Sequence, residues 1–182
     1  MNTVLWLLLV QGSIGAFDTV YYHEWRARLP AQGGKVRTEL TIHAIRDFLY
    51  AVIFATLPYY QWHGAFAVVL IGILSTEIIL TLTDFVVERT ARKHLGDVYA
   101  GERVTHAIMG IIYGAMIASL IPSLANWLEQ PTAMAATETG NSTVSVILLL
   151  MAIGVFFSGL RDLYAVLELP YNSFPWKKEA KQ

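Results

Sequence analysis

Two pairs of side chains that could bind a metal stand at matched places in the chain. Glu39 is followed four residues later by His43, and Glu102 is followed four residues later by His106. Residues four apart lie on the same face of a helix, so each pair can present a carboxylate and an imidazole to one point. Such oxygen and nitrogen ligands bind iron, manganese or zinc in proteins. The two pairs therefore predict a metal site.

Both pairs belong to a longer internal repeat. The pattern Glu-x3-His-Ala-Ile-x4-Tyr-x4-Ala occurs over residues 39–55 and again over residues 102–118. Upstream of each copy, an aspartate, an arginine and a leucine also match in spacing: Asp18, Arg26 and Leu29 in the first copy, and Asp84, Arg92 and Leu95 in the second. We predict a duplicated helical hairpin, with repeat 1 over residues 1–62 and repeat 2 over residues 65–128.

The composition indicates that the helices of these hairpins lie in a membrane. Apolar residues make up 55% of the 182 residues and charged residues only 15%, which is unusual for a water-soluble globular chain. Five stretches are long enough to cross a hydrocarbon layer of about 30 Å as helices: residues 3–23, 40–60, 65–87, 104–127 and 144–167. We predict an all-α integral membrane protein with one domain of five transmembrane helices. The fifth, unpaired span belongs to residues 143–168, and a short tail covers residues 169–182.

Basic residues predict the orientation of the spans. Lysine and arginine follow the first span, separate the third from the fourth and close the chain with Lys177, Lys178 and Lys181, whereas the connections 61–64 and 128–143 contain neither. By the positive-inside rule, the N-terminus is outside and the C-terminus is cytoplasmic. We predict a multi-pass protein of the inner, cytoplasmic membrane. The two hairpins would then be parallel repeats related by an axis along the membrane normal, as in some transporters.

Further carboxylates are predicted to lie at the depth of the two Glu–His pairs. Ionisable groups in membrane helices are costly and usually face the bundle interior, where they pair or bind something. About four carboxylates and two histidines form the di-iron and di-manganese sites of helical bundles, although those sites use Glu-x2-His and not the spacing found here. We expect two metal ions, most simply iron. The expected ligands are Asp18, Glu39, His43, Asp84, Glu88, Glu102 and His106.

Other polar residues of the spans receive different predictions. Glu77 lies about 10 Å deeper than Asp84, and we expect it to be neutral unless an arginine or another cation reaches it. With two tyrosines it would line a substrate or proton path: Glu77, Tyr50 and Tyr113. Four charged residues are expected to form structural ion pairs between the second and fifth spans: Arg46, Asp47, Arg161 and Asp162. His23 is expected to point away from the Asp18 face, and His63, at the opposite end, to be inert.

A carboxylate-rich iron site at the lipid boundary predicts an oxidative function. Hard oxygen ligands suit a metal that activates dioxygen, and such a site would meet acyl lipids, isoprenoids or quinols. We expect a non-haem di-iron membrane oxidoreductase that acts on a lipid-soluble substrate. An electron-donor partner or a homo-oligomer is compatible with this function. The net charge of −1 gives no reason to expect a nucleic acid partner.

Three other functions use the same residues. With zinc, the site would activate water and hydrolyse a lipid amide or ester. His43 and His106 could instead be the axial ligands of a haem in an electron carrier, although a haem needs no such cluster of carboxylates. A metal- or proton-coupled transporter suits the repeats, although its site would be expected nearer the midplane. Because the chain contains no cysteine, thiolate ligands and disulfides are excluded.

The predicted orientation can be tested with single cysteines in a chain that has none of its own. A cysteine within residues 26–38 or 89–103 should be protected from a membrane-impermeant thiol reagent in intact cells. A cysteine at Ala135 should be labelled, because its loop lies outside under the positive-inside rule. Labelling of both basic loops from outside would contradict the five-span topology.

Overall fold

The fold is dominated by helices. The structure is a computed structural model that describes residues 1–138 and 142–176. Within these residues there are five α-helices: α1 (Asn2–Asp18), α2 (Arg37–Thr56), α3 (Ala65–Ala91), α4 (Ala100–Leu128) and α5 (Thr143–Val166). Residues 177–182 of the tail, with Lys177, Lys178 and Lys181, lie outside the described residues.

Four helical segments of the described chain are long and apolar enough to cross a membrane: Asn2–Ala31, Ala65–Ala91, Ala100–Leu128 and Thr143–Val166. A chain with several such segments is a multi-pass membrane protein. The second predicted span, α2, is not among them. Its 20 residues include Arg37, Glu39, Arg46 and Asp47, so it is less apolar than the other four. The count of five spans and the orientation of the termini therefore remain predictions.

The charged helix α2 is covered by its neighbours. It packs most extensively against α5, while α1 packs mainly against α4. Close approach of α2 to α5 requires Gly159, because a Cβ atom there would lie 3.0 Å from Asp47 Cβ and 3.2 Å from the Ala44 carbonyl oxygen. Glu39 and His43 are buried in this arrangement. The packing thus shields the polar face of α2 from the surroundings of the bundle.

The end of α1 departs from α-helical geometry. Residues Thr19–Arg26 continue the helix as a π-helix, in which hydrogen bonds join residues five apart. Short 3-10 turns at Leu29–Ala31 and Gly33–Val36 then lead into α2, and another at Lys93–Leu95 follows α3. These connections are not loose, because Leu29 and Val36 are fully buried against Leu40 and Ala165.

A small β-ribbon joins the two connections at the opposite end of the bundle, so the prediction of an all-α protein was wrong in this detail. Strand β1 (Tyr60–His63) pairs antiparallel with β2 (Ala133–Ala136), with Tyr60 opposite Ala136 and His63 opposite Ala133. The sequence pattern assigned Tyr60 to the second span, but α2 ends at Thr56. Pairing between segments some 70 residues apart is a tertiary feature that local pattern does not reveal.

Two apolar clusters lie on either side of the polar residues. The larger contains Leu8, Ile53, Leu70, Met116 and Leu148, and the smaller contains Leu29, Leu40 and Ala165. Along α2, His43 and Arg46 come between Leu40 of the smaller cluster and Tyr50 of the larger. The polar side chains therefore form a layer between two apolar clusters, one on each side along the helices.

Gly64 is predicted to be essential to the junction between β1 and α3. Its φ angle is +57°, and a Cβ atom there would lie 2.8 Å from the backbone nitrogen of Thr132. Gly64→Ala should therefore lower the free energy of unfolding by about 1–3 kcal/mol. Gly72→Ala is the control, because no atom lies within 4 Å of the added Cβ in mid-helix. Thermal unfolding in detergent would measure both, and equal stability of the two variants would contradict the account.

Candidate metal site

All seven residues expected from the sequence to bind metal are buried. Their side chains come from α1 to α4, and none of these residues is more than 8% exposed. They do not form one undivided group, because two arginines lie among them. Which carboxylates remain free for a metal depends on what these arginines bind.

Each predicted histidine ligand meets an aspartate from the other copy of the sequence repeat. His43 Nε2 on α2 lies 3.2 Å from Asp84 Oδ2 on α3, and His106 Nε2 on α4 lies 3.1 Å from Asp18 Oδ2 on α1. Asp18 and Asp84 occupy matched positions in the repeat, as do His43 and His106. The two contacts are therefore equivalent in type.

Arg92 binds the two predicted glutamate ligands. Its Nη2 lies 2.6 Å from Glu39 Oε1 and 3.0 Å from Glu102 Oε1, and its Nε lies 2.7 Å from Glu39 Oε1. All three side chains are almost completely buried. Each glutamate lies in the first turn of its helix, where the helix dipole also favours a negative charge. The two carboxylates thus share one buried cation.

Arg46 links the deeper carboxylate to the site. Its Nη2 lies 3.0 Å from Glu77 Oε1, and its Nη1 lies 3.2 Å from Asp84 Oδ2. The Thr81 hydroxyl also donates to Glu77 Oε1, at 2.8 Å. Glu77 was expected to be neutral unless a cation reached it. Arg46 does reach it, so the expectation of a neutral Glu77 no longer applies.

The expected ion pairs between α2 and α5 were wrong. Arg46 bonds to α3, and Arg161 instead lies 3.4 Å from Glu24 Oε1 and donates to the carbonyl oxygens of Asn172 and Phe174. Asp162 faces His43, with Oδ2 3.9 Å from Nδ1. Residues on one helix face can meet several neighbours, and the packing of the helices selects the partner.

His23 belongs to the site, and the expectation that it points away was wrong. Its Nε2 lies 3.2 Å from Asp18 Oδ2 and 3.2 Å from Glu102 Oε1. Its ring stacks on that of His43, with centroids 4.5 Å apart. Five residues are about 1.4 turns of an α-helix, which would separate His23 from Asp18. The π-helix removes this separation, and only the spacing of five residues hints at it in the sequence.

Asp18, His23 and His106 could together hold a metal ion. Each offers one ligand atom, and these atoms all lie within 4.8 Å of one another. The contacts of Asp18 Oδ2 with the two imidazoles, at 3.1 and 3.2 Å, match the separation between ligands that share one ion. Ligands about 2.0–2.2 Å from a metal lie about 3.0–3.4 Å from each other.

Unsatisfied polar atoms surround this group. Among the residues that the structure describes, Asp18 Oδ1 and Glu102 Oε2 are buried with no hydrogen-bond partner, and His23 Nε2 approaches two carboxylate oxygens without the geometry of a hydrogen bond. Buried polar atoms normally have partners, so a bound ion is a physical reason for their placement. Glu88 Oε2 lies 3.6 Å from His106 Nδ1, which is too far for a hydrogen bond but adds negative charge beside that imidazole. The donor set therefore fits a metal ion.

The two buried tyrosines lie on the apolar side of the site. Tyr50 OH accepts a hydrogen bond from Gln11 Nε2 at 3.2 Å, and Tyr113 OH donates to the Leu74 carbonyl oxygen at 3.3 Å. Their ring centroids are 6.1 Å apart. Both pack in the larger apolar cluster, and their role in a path with Glu77 remains a prediction.

The connecting segment between α3 and α4 is tied to other loops. His94 Nε2 lies 3.0 Å from Gln32 Oε1. Outside the spans, the hydrogen bond from Arg103 holds the pKa of Asp97 below its usual value. The far histidine, His63, pairs with Gln61 in β1. These residues lie in contacts separate from the candidate metal site.

The metal-capable group opens into an apolar cavity of about 500 Å³. Asp18, His23 and His106 all line it, together with residues of α2 and α5. Cavities of this size, mostly apolar with a few convergent polar groups, are typical of small-molecule sites.

Comparison of the chain with protein-family models, curated proteins and solved structures finds no match. The chemistry of the site is therefore the basis for a proposal about function.

Removal of Arg92 should destabilise the protein strongly. Arg92→Met would leave Glu39 and Glu102 buried without a cation, which costs about 3–5 kcal/mol of unfolding free energy. Arg89→Met, on the same helix but exposed, should change it by less than about 0.5 kcal/mol. Adding Glu39→Gln and Glu102→Gln to Arg92→Met should recover part of the loss. A stability of Arg92→Met equal to that of Arg89→Met would contradict the role of this cation.

Proposed function

We propose that the protein is a membrane oxidoreductase that depends on non-haem iron. The iron would be held by Asp18, His23 and His106, and a lipid-soluble substrate would occupy the adjoining cavity. One observation carries the proposal: a buried group of one carboxylate and two imidazoles opens directly into a mostly apolar cavity. Two histidines and one carboxylate, with other positions open, form the ligand set of many non-haem iron oxygenases.

One iron per chain is favoured over the two expected from the sequence. Arg92 binds Glu39 and Glu102, and Arg46 binds Asp84, so three expected ligands already have a cation. At the position of the repeat matched to Arg46, the second copy carries Met109. The His106 half of the site therefore has no arginine at this position and is better suited to a metal cation.

The chain's own residues would prepare the site for chemistry. Asp18 supplies negative charge between the two imidazoles, and Glu88, 3.6 Å from His106 Nδ1, adds a carboxylate beside the His106 ring. Glu102, 3.2 Å from His23 Nε2, adds a carboxylate beside the ion while bonded to Arg92. The apolar walls exclude water. Bound iron would supply the redox chemistry with dioxygen.

The proposal includes five spans in the inner membrane, with the N-terminus outside and the C-terminus cytoplasmic. The covering of α2 by its neighbours supports its passage through the membrane despite its charges. The basic connections 26–38 and 89–103 support the orientation. Contact of each histidine with the aspartate of the other copy is what parallel repeats around a central axis would produce.

A zinc-dependent hydrolase is the second candidate. Two imidazoles and one carboxylate also form the catalytic zinc site of several hydrolases, so the same group of ligands supports it. A haem between His43 and His106 is less favoured, because Nε2 of each faces an aspartate. The metal present in the purified protein distinguishes these possibilities.

The iron site predicts a specific pattern of metal loss. The purified protein should contain about one iron per chain and no Soret band. His23→Ala and His106→Ala should each remove most of it, because a lost ligand in a buried site is not readily replaced. His43→Ala is the matched control, since His43 is buried and stacks on His23 but bonds to Asp84, and it should retain the iron. Elemental analysis and the visible spectrum would measure these outcomes.

Other metal contents would lead to different conclusions. Two irons per chain, with one lost in His43→Ala, would restore the di-iron site and contradict the single-iron proposal. One zinc per chain would support the hydrolase. A protein without bound metal, after purification and reconstitution with iron(II) or zinc, would refute both. Oxygen consumption with a short-chain quinol as the probe would then test the oxidative reaction of the iron form.

A further inference from the structure

The cavity beside the candidate metal site has the shape of a slot. Along α5 it is lined at Ile147, Leu150, Gly154, Ser158 and Asp162, which recur every three to four residues and so lie on one face. From Ile147 to Asp162 this face extends about 22 Å at 1.5 Å per residue. A slot of this length suits a single extended hydrocarbon chain better than a compact molecule.

The two ends of the slot differ in polarity. Ile147, Leu150 and Met151 line one end together with Phe54, whereas Asp47 and Asp162 lie at the other end beside the histidines. The gradient of polarity runs along one helix face. It predicts an elongated ligand with an apolar tail and a polar head near Asp18 and His23.

The slot opens sideways between α1 and α5. Val20 on α1 is 67% exposed and Leu150 on α5 is 63% exposed, although both line the cavity. Gly154 widens this mouth, since no atom lies within 4 Å of a Cβ added there. Gly15 on α1 also lines the cavity, and a Cβ added there would meet only Met109 Sδ of α4, at 3.8 Å. Because α1 and α5 are both apolar enough to span a membrane, this mouth would face lipid.

The polar end is rich in hydrogen-bond acceptors. Besides Asp18, which the proposed iron would engage, it contains the carboxylates of Asp47 and Asp162. Arg46, which also lines the cavity, is already bonded to Glu77 and Asp84. An acceptor-rich end favours a head group that donates a hydrogen bond and disfavours an anionic one.

We propose that the slot binds a lipid with one long hydrocarbon chain and a hydroxyl head group, which enters from the membrane between α1 and α5. This inference deepens the proposed function. Only the statement that this lipid is the substrate rests on the proposed function. Isoprenoid alcohols and quinols share the required hydroxyl chemistry, whereas fatty acids do not. Binding itself requires neither iron nor turnover.

Photolabelling of the full chain in lipid vesicles tests the slot. The probes are a 16-carbon alcohol and a 16-carbon carboxylic acid, each with a diazirine on the chain. The alcohol should label α1 and α5 peptides that line the slot. Gly154→Leu should reduce this labelling at least about tenfold, because the leucine would displace two or more methylene groups of the chain. Gly15→Leu, on the other side of the mouth, should act in the same way.

The matched control is Gly114→Leu on α4. Gly114 is exposed, no atom lies within 4 Å of its added Cβ, and it does not line the slot. Labelling by the alcohol should be unchanged in this variant. Thermal unfolding in detergent should be unchanged in all three glycine variants, which shows without reference to iron that they fold. Undiminished labelling of folded Gly154→Leu and Gly15→Leu would overturn the proposed entrance.

The head group is tested by comparing the two probes. The alcohol should label the slot about tenfold more than the acid at pH 8, where the acid is anionic, and Asp47→Asn should narrow this preference. If the bound lipid is a quinol, a short-chain quinol should compete with the alcohol probe for labelling. If it is an isoprenoid alcohol, an isoprenoid alcohol should compete instead. Equal labelling by acid and alcohol would overturn the hydroxyl preference. Slot labelling in a protein that binds no iron would refute the proposed function alone.

Discussion

The placement of Arg92 between Glu39 and Glu102 constrains the rest of the site. One buried guanidinium at the end of α3 satisfies carboxylates in the first turns of α2 and α4, so three helix ends must meet at one point. Without that cation, both glutamates would be buried charges with no compensation. His43 and His106 follow these glutamates by about one helical turn. The fixed glutamates therefore set the depth at which both imidazoles enter the bundle.

The distribution of arginines gives the two halves of the site different chemistry. On the side of His43, Arg46 already compensates Asp84 and Glu77. On the side of His106, the matched residue is Met109, and within the described chain Asp18 forms its ion pairs with the imidazoles of His23 and His106. A metal cation is favoured where negative charge lacks an arginine. The proposed single iron follows from this asymmetry within a sequence that is otherwise closely repeated.

The π-helical end of α1 connects the metal-capable group to the cavity. It brings His23 over Asp18 and against His43, so three imidazoles gather where the sequence patterns supplied two. The same segment places Thr19 and Val20 along the cavity. Local departures of this kind are frequent at functional sites, because they change the direction of a side chain without ending the helix. A lipid in the slot would thus end beside the proposed iron.

The sequence alone determined that the chain is a helical membrane protein and that the seven expected ligand residues are buried. Long apolar runs cross a membrane only as helices, and the matched Glu–His pairs, Asp18 and Asp84 face inward because charge is costly in lipid. Only the tertiary structure decided the partners of those residues. Helical periodicity indicates which side chains share a face, but the neighbour of that face depends on packing: Arg46 bonds to α3 and not to α5, and Arg92 bonds to both glutamates. The β-ribbon and the cavity arise from contacts between segments distant in sequence, which no local pattern encodes. The π-helix that brings His23 to Asp18 departs from the α-helical period on which the sequence expectation depended.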